Sequence, residues 1–234
     1  MSVNNLVVSI KSAPVEIYPF PHLTTEAFFD GLELEKILHE LALLERTDPT
    51  SIFKSEFGEK KEWKVFPREY ESINNAIEII GSTEFISELK KKFGIEEEVD
   101  IGMDYEFDGG GYVVSPPGSF LGYHADFNFS SRVKKYRVMN LLIYMNSDYE
   151  PKNGGHLHAL DPISKTVEKT VYPFLNTAFA FFTDDTSFHG VSLNKGNFFR
   201  RSFNIYYYAS IPISNHQTTN PHKTIWLDIK DEHK

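Results

Sequence analysis

A chain of 234 residues with a formal net charge of −9 has the length of one large domain, and its acidic balance argues against nucleic acid as the main partner. Hydrophobic residues make up 41%, with 20 Phe and 12 Tyr, which is ample for a packed core. There is no cysteine, so disulfides and thiolate metal sites are excluded, and no apolar run approaches a membrane span. Residues 1–10 lack a basic n-region, and Leu6-Val7-Val8 is too short for a signal core. The expectation is a cytoplasmic protein without nucleic-acid or membrane partners.

Residues 1–108 read as mostly helical. Leu34, Ile37, Leu38, Leu41 and Leu44 follow helical spacing, with Glu35, Lys36, Glu40 and Glu45 between them. A second helix carries Ile73, Ala76, Ile77 and Ile80. A third starts after Ser82, buries Phe85, Ile86, Leu89 and Phe93, and stops at Gly94. His22 and His39 read as surface or core-edge residues. The stretch 46–70 has mixed charge and little periodicity and reads as a long loop; whether it covers a site stays open.

From Gly111 the chain turns to short runs rich in aromatic and β-branched residues. Candidate strands are 111–115, 120–126, 137–146, 155–160, 166–171, 177–183, 187–191 and 201–210. Pro116-Pro117-Gly118, Asn153-Gly154-Gly155, Asp161-Pro162 and Asp184-Asp185 mark turns between them. Eight short strands without intervening helices predict a double-sheet jelly roll over 109–210. Arg132, Lys134, Lys135 and Arg137 read as a solvated loop. The tail, 211–234, is poorly patterned; Trp226 is its candidate anchor, and His216, His222 and His233 read as solvated.

Two strands can be read face by face. Met139, Leu141, Ile143 and Met145 form a uniformly apolar face. The opposite face, Val138, Asn140, Leu142 and Tyr144, has the mixed polarity of a ligand cavity. In the last strand Arg201 shares its face with Phe203, Ile205, Tyr207 and Ala209. Arg200 shares the other with Ser202, Asn204, Tyr206 and Tyr208. The first set is more core-like, so Arg201 is read as the inward arginine, with Arg200 as the alternative.

The chemistry concentrates at His124-Ala125-Asp126. Residues two apart in a strand project from one face, so this His and Asp can hold one edge of a divalent metal. His189 is the candidate third ligand. Two imidazoles and a carboxylate make the facial triad that suits non-haem Fe(II) and leaves positions open. Further on, a fixed guanidinium at Arg201 could fork onto a dicarboxylic co-substrate.

Order and context strengthen this reading. Gly109-Gly110-Gly111-Tyr112 and Pro117-Gly118-Ser119-Phe120-Leu121 precede the pair. Ile143-Tyr144-Met145-Asn146, Gly154-Gly155-His156-Leu157-His158, Phe179-Ala180-Phe181-Phe182, His189 and Arg201 follow. From Gly109 to Ala209 the chain resembles the Fe(II)- and 2-oxoglutarate-dependent oxygenases, in particular the prolyl 4-hydroxylase-like branch.

The resemblance implies a mainly β (α+β) fold, a double-stranded β-helix (jelly roll, cupin-like) buttressed by N-terminal helices, in one domain over 1–234. It implies His124, Asp126 and His189 as catalytic iron ligands, Arg201 and Tyr144 on the C5 carboxylate of 2-oxoglutarate, and Leu157 lining that pocket. Fe(II), 2-oxoglutarate and O2 would be required, with ascorbate as a candidate reductant. The expected reaction hydroxylates an unactivated carbon, first a prolyl or other residue of a peptide or protein and next a small molecule, while 2-oxoglutarate becomes succinate. His156 and His158, flanking Leu157, then point outward. The rivals are a jelly-roll metalloprotein of another class, such as a cupin-type isomerase or a Zn/Mn enzyme, and a non-catalytic sensor or binding module. Neither needs the arginine. Substrate and oligomeric state are not encoded in these motifs.

Overall fold

The structure, a computed structural model, describes residues 9–213 and 220–228. A short helical stretch over 9–12 precedes two short strands, β1 (Val15–Glu16) and β2 (His22–Thr25), and then comes helix α1 (Gly31–Leu44). Strands β3 (Ser51–Ser55) and β4 (Gly58–Trp63) lead to helices α2 (Glu71–Ile80) and α3 (Thr83–Lys92). The remaining strands are β5 (Ile101–Met103), β6 (Gly111–Ser115), β7 (Leu121–Ala125), β8 (Phe129–Ser130) and β9 (Lys135–Tyr144). After them come β10 (Leu157–Leu160), β11 (Val167–Val171), β12 (Ala178–Phe182), β13 (His189–Val191), β14 (Arg200–Ala209) and β15 (Ile225–Trp226).

The three helices fall where the apolar periodicity placed them, and their ends have local causes. Asp30 caps α1 by accepting from Glu33 N at 3.0 Å, and Ser82 caps α3 by accepting from Phe85 N. Lys90, Lys91 and Lys92 fill the last turn of α3, where the helix dipole favours cations. The N-terminus of α2 borrows its cap from α1: both Glu40 oxygens accept, from Ser72 N at 3.1 Å and Ile73 N at 2.8 Å. One carboxylate thus satisfies two orphan N–H groups and fixes the angle between two helices.

The eight strands expected in the second half all form, with ends shifted by a few residues. Ladder order is β1-β2-β12-β9-β14-β6-β4-β7-β13-β10-β11, antiparallel throughout. The ribbon curls so that β12, β9, β14 and β6 face β7, β13, β10 and β11, a double-stranded β-helix. Strand β4 joins the two halves. Lys61–Trp63 pair with β6, while Gly58 pairs with Leu121 of β7. A Cβ at Gly58 would stand 2.3 Å from Phe120 O, so this close approach requires glycine.

The region 46–70 is therefore not a long loop. It carries the β3–β4 hairpin, whose inner strand belongs to the sheet. The strand was illegible because Gly58-Glu59-Lys60-Lys61-Glu62-Trp63 is mostly charged and shows no apolar alternation. Its conformation comes from its tertiary neighbours.

The first sheet separates two apolar regions. Its outer face packs Leu141, Ile143, Phe203, Ile205 and Tyr207 against Ile37, Leu41, Ile73, Ile77 and Phe85 of the helices. Its inner face, with Leu142, Tyr144, Phe179 and Phe181, meets Leu157 and Ala159 of β10 between the sheets. Each fully buried Leu or Phe contributes about 1.5–3 kcal/mol, so the helices secure the sheet from outside and leave its inner face available.

Candidate active site

Strand register brings the His-x-Asp and the distant histidine together. His124 lies near the end of β7, Asp126 just beyond it, and His189 opens β13 directly opposite His124. The two imidazole centroids are 4.5 Å apart. Asp126 Oδ1 is 3.5 Å from His124 Nε2, and Oδ2 is 3.7 Å from His189 Nε2. One ligand atom from each residue lies within 4.8 Å of the others, a group able to hold one metal ion.

The protonation pattern suits metal binding. His124 Nδ1 is 2.8 Å from Gly122 O, and His189 Nδ1 is 2.9 Å from Ser187 O. A carbonyl only accepts, so both Nδ1 atoms carry the proton and both Nε2 lone pairs are left for the site. Burial, helped by His124, lowers the His189 pKa to about 4, which keeps that ring neutral. Burial opposes ionisation of Asp126, but Arg137 and the two imidazoles outweigh it and hold the carboxyl well below its usual range.

Arg137 is the residue that sequence reasoning misplaced most. It is 3% exposed rather than solvated. Its Nη2 lies 3.0 Å from Asp126 Oδ2, and its Nε donates to Asn140 Oδ1 at 2.8 Å. Asn140 Nδ2 donates to the same Asp126 oxygen at 2.8 Å. Two donors thus engage Oδ2, which also faces His189, while Oδ1 faces His124. The guanidinium also covers the Tyr206 ring at 3.5 Å. Its neighbours Arg132, Lys134 and Lys135 suggested a surface cluster, but strand alternation from Asn140 back to Arg137, through the irregular β9–β14 register, was not visible.

The triad opens into a cavity of about 440 Å³ between the sheets. Leu142, Leu157 and Phe181 line it, as do Arg200, Asn204 and Tyr206. Tyr144 is fully buried beside Leu157, and its hydroxyl has no hydrogen-bond partner among the described residues. Burial pushes that phenol up, against an opposing effect of Arg200, so it stays a neutral donor. The Arg200 guanidinium lies 5.1 Å from the Tyr144 ring, with Nε donating to Gly155 O at 3.0 Å. No carboxylate among the described residues pairs with it.

The choice of arginine is corrected. Arg201 points to the helix face, where Nε and Nη2 form a two-pronged pair with Glu45 at 2.7 and 3.0 Å. Register explains why. Ser202 pairs with Tyr144, Asn204 with Leu142 and Tyr206 with Asn140, so this set shares the cavity face with Arg200. The face of Arg201 is more apolar because it meets the helices. Mixed polarity, the rule that selected the cavity face of β9, selects Arg200 when applied to β14.

Other histidines are held elsewhere. His156 and His158 flank Leu157 on the outer face and bond to Tyr149 and Tyr123 hydroxyls at 2.7 and 2.8 Å. His22 is fully buried at the start of β2 rather than at the surface, with Nδ1 on Phe20 O. His222 is not simply solvated: Nε2 meets Asp185 Oδ1 at 2.7 Å. His216 and His233 lie outside the described residues.

Comparison with known proteins agrees with this geometry. Residues 110–208 match the family model of the 2OG-Fe(II) oxygenase superfamily. A solved Pseudomonas putida prolyl-4-hydroxylase superposes with TM-score 0.57 at 16% identity, covering 88% of this chain and 97% of that one. A Trichoplax adhaerens prolyl hydroxylase, in complex with a hypoxia inducible factor oxygen degradation domain peptide fragment, gives 0.58 at 14%, covering 88% of each. A non-heme alpha ketoglutarate dependent epimerase, SnoN from nogalamycin biosynthesis, gives 0.51 at 11%, covering 88% of this chain and 81% of that one. Comparison with curated protein sequences gives no match.

Fold and donor set agree with the family match: a double-stranded β-helix carries a His-Asp-His group able to hold one metal ion. Residues 110–208 are similar to the 2OG-Fe(II) oxygenase superfamily, and the fold is that of the solved prolyl hydroxylases. No helix among the described residues is long and apolar enough to cross a membrane.

Proposed function

We propose that His124, Asp126 and His189 hold Fe(II), and that Arg200 and Tyr144 bind the far carboxylate of 2-oxoglutarate, with Leu157 as the apolar wall beside its chain. The observation that carries this reading is Arg200. A buried guanidinium without an acidic partner among the described residues is costly; Arg200 lines the cavity that holds the triad and stands beside Tyr144, whose hydroxyl has no hydrogen-bond partner among them. A dicarboxylate satisfies both groups and leaves its other end for the metal.

Fe(II) held by His124, Asp126 and His189 would supply the oxidising chemistry with dioxygen, and 2-oxoglutarate would be converted to succinate and carbon dioxide. The chain's own residues orient and exclude. Arg137 and Asn140 hold Asp126 Oδ2, the Gly122 and Ser187 carbonyls fix the imidazole tautomers, and Leu142, Leu157 and Phe181 keep the cavity wall apolar.

The substrate we propose is a prolyl or other residue of a peptide or protein, hydroxylated on an unactivated carbon. Support comes from the prolyl hydroxylases of like fold, one of them solved with a peptide. The test incubates purified protein with Fe(II), ascorbate and 2-oxoglutarate and measures succinate, with and without candidate peptides. Peptide-stimulated succinate and a peptide mass gain of one oxygen are expected. Basal succinate that no peptide raises, but a small metabolite does, overturns the substrate class and leaves the site assignment standing.

A further inference from the structure

A row of aromatic rings crosses the site on the sheet of the two histidines. Trp226 of β15 lies opposite His124 on one side of β7, as His189 does on the other. The indole lies 4.7 Å from the His124 ring and 4.3 Å from Phe57, nearly parallel to the latter at 10°. Phe181 closes the row, 4.9 Å from His189. Phe57 sits in the turn between β3 and β4 and backs the indole, so Trp226 and His189 flank His124 from segments far apart in sequence.

The segment bearing Trp226 is held at both ends. His222 N donates to Asn128 Oδ1 at 2.9 Å, and Asn128 Nδ2 donates to Asn220 O at 3.0 Å. Beyond the indole, Leu227 N donates to Tyr123 O at 2.8 Å. The hairpin turn is held too, because Gly122 N donates to Phe57 O at 2.9 Å. Gly122 leaves the space for this meeting: a Cβ there would stand 3.3 Å from Phe57 and 3.5 Å from the indole. Thr224 and Trp226 line the cavity.

We infer that Trp226 is a positioning residue for His124, and that 220–228 closes with the β3–β4 turn into a clasp that walls the site. This rests on the metal reading of the triad. An imidazole held through Nδ1 on Gly122 O can still tilt about that bond, because its terminal torsion is broad. The indole face removes this freedom and aims Nε2 at the metal position. Groups that orient a ligand typically change metal affinity by about 10–100-fold when lost. A tryptophan that merely anchored the segment would leave metal affinity unchanged in a folded variant.

Co(II) binding to the full chain tests the inference. Calorimetry is expected to give about tenfold weaker binding for Trp226→Ala. Trp226→Phe should keep it within about threefold, since a ring face remains. The chain has 2 tryptophans, so Trp63→Phe leaves Trp226 as the sole indole, and Co(II) should quench its emission. That measurement holds even where Trp226→Ala fails to fold. Folded Trp226→Ala with wild-type Co(II) affinity, or unquenched emission in Trp63→Phe, overturns the clasp and leaves the metal reading intact. A wild-type chain that binds no Co(II) overturns both.

Discussion

The two faces of β14 carry adjacent arginines with opposite fates. Arg201 meets Glu45 on the helix side, where a charge found its partner within the fold. Arg200 is buried on the cavity side with no acidic partner among the described residues. The helix face is the more apolar and completes a core. The cavity face mixes Arg200, Ser202, Asn204 and Tyr206, leaving polar groups for a ligand. In a curled sheet the more hydrophobic face need not be the inner one, because the buttressing helices demand the larger apolar area.

The largest expected effect breaks the cavity side outright. Asp126→Ala or His189→Ala should reduce Co(II) binding and succinate formation to background, since each removes one of the three proposed ligands. Either variant that retains wild-type metal affinity would remove that residue from the ligand set.

The comparison itself is tested by paired alanine substitutions. Arg200→Ala should cost about 2–5 kcal/mol of 2-oxoglutarate binding, the usual loss for a buried charged pair. Arg201→Ala should leave 2-oxoglutarate affinity within about twofold and lower folding stability by about 1 kcal/mol. A reversal of the two, measured by calorimetry on the metal-loaded protein and by denaturant unfolding, would return the anchor role to Arg201. Tyr144→Phe sharpens the same point. It deletes only the unsatisfied hydroxyl and should raise the KM for 2-oxoglutarate through a loss of about 0.5–1.5 kcal/mol.

The smallest effect lies on the helix side. Burial opposes ionisation of Glu45, but Arg201 and the Tyr112 hydroxyl outweigh it and lower its pKa. A carboxylate lowered in the folded state adds stability that is full above roughly pH 5. That stability is lost as pH falls through the folded value. Thermal unfolding from neutral to acid pH should therefore show a shallower acid decline in Arg201→Ala than in wild type. Equal slopes would mean that the pair adds nothing to stability.

Much of the second half was legible because strands of alternating polarity announce themselves locally. All eight core strands, the grouping of His124 and Asp126 with His189, and the inner face of Tyr144 could be expected from pattern and order, and Leu157 from resemblance. The N-terminal helices were legible for the same reason, each carrying its own apolar stripe and two of them a side-chain cap. Arg137 and the β3–β4 hairpin were not. A buried arginine differs from a solvated one only in having Asp126 and Asn140 beside it, and a charged strand is a strand only when β6 supplies its hydrogen bonds.

The sequence by itself carried the three N-terminal helices, the eight core strands and the candidate ligand types, since these follow from side-chain period and donor chemistry, while the expected reaction rested on resemblance. Only the tertiary structure decided which of Arg200 and Arg201 faces the cavity, that Arg137 grips Asp126, and that Trp226 covers His124. Each is a relation between residues distant in the chain, set by cross-strand register. A shift of one residue there exchanges every side chain between the two faces.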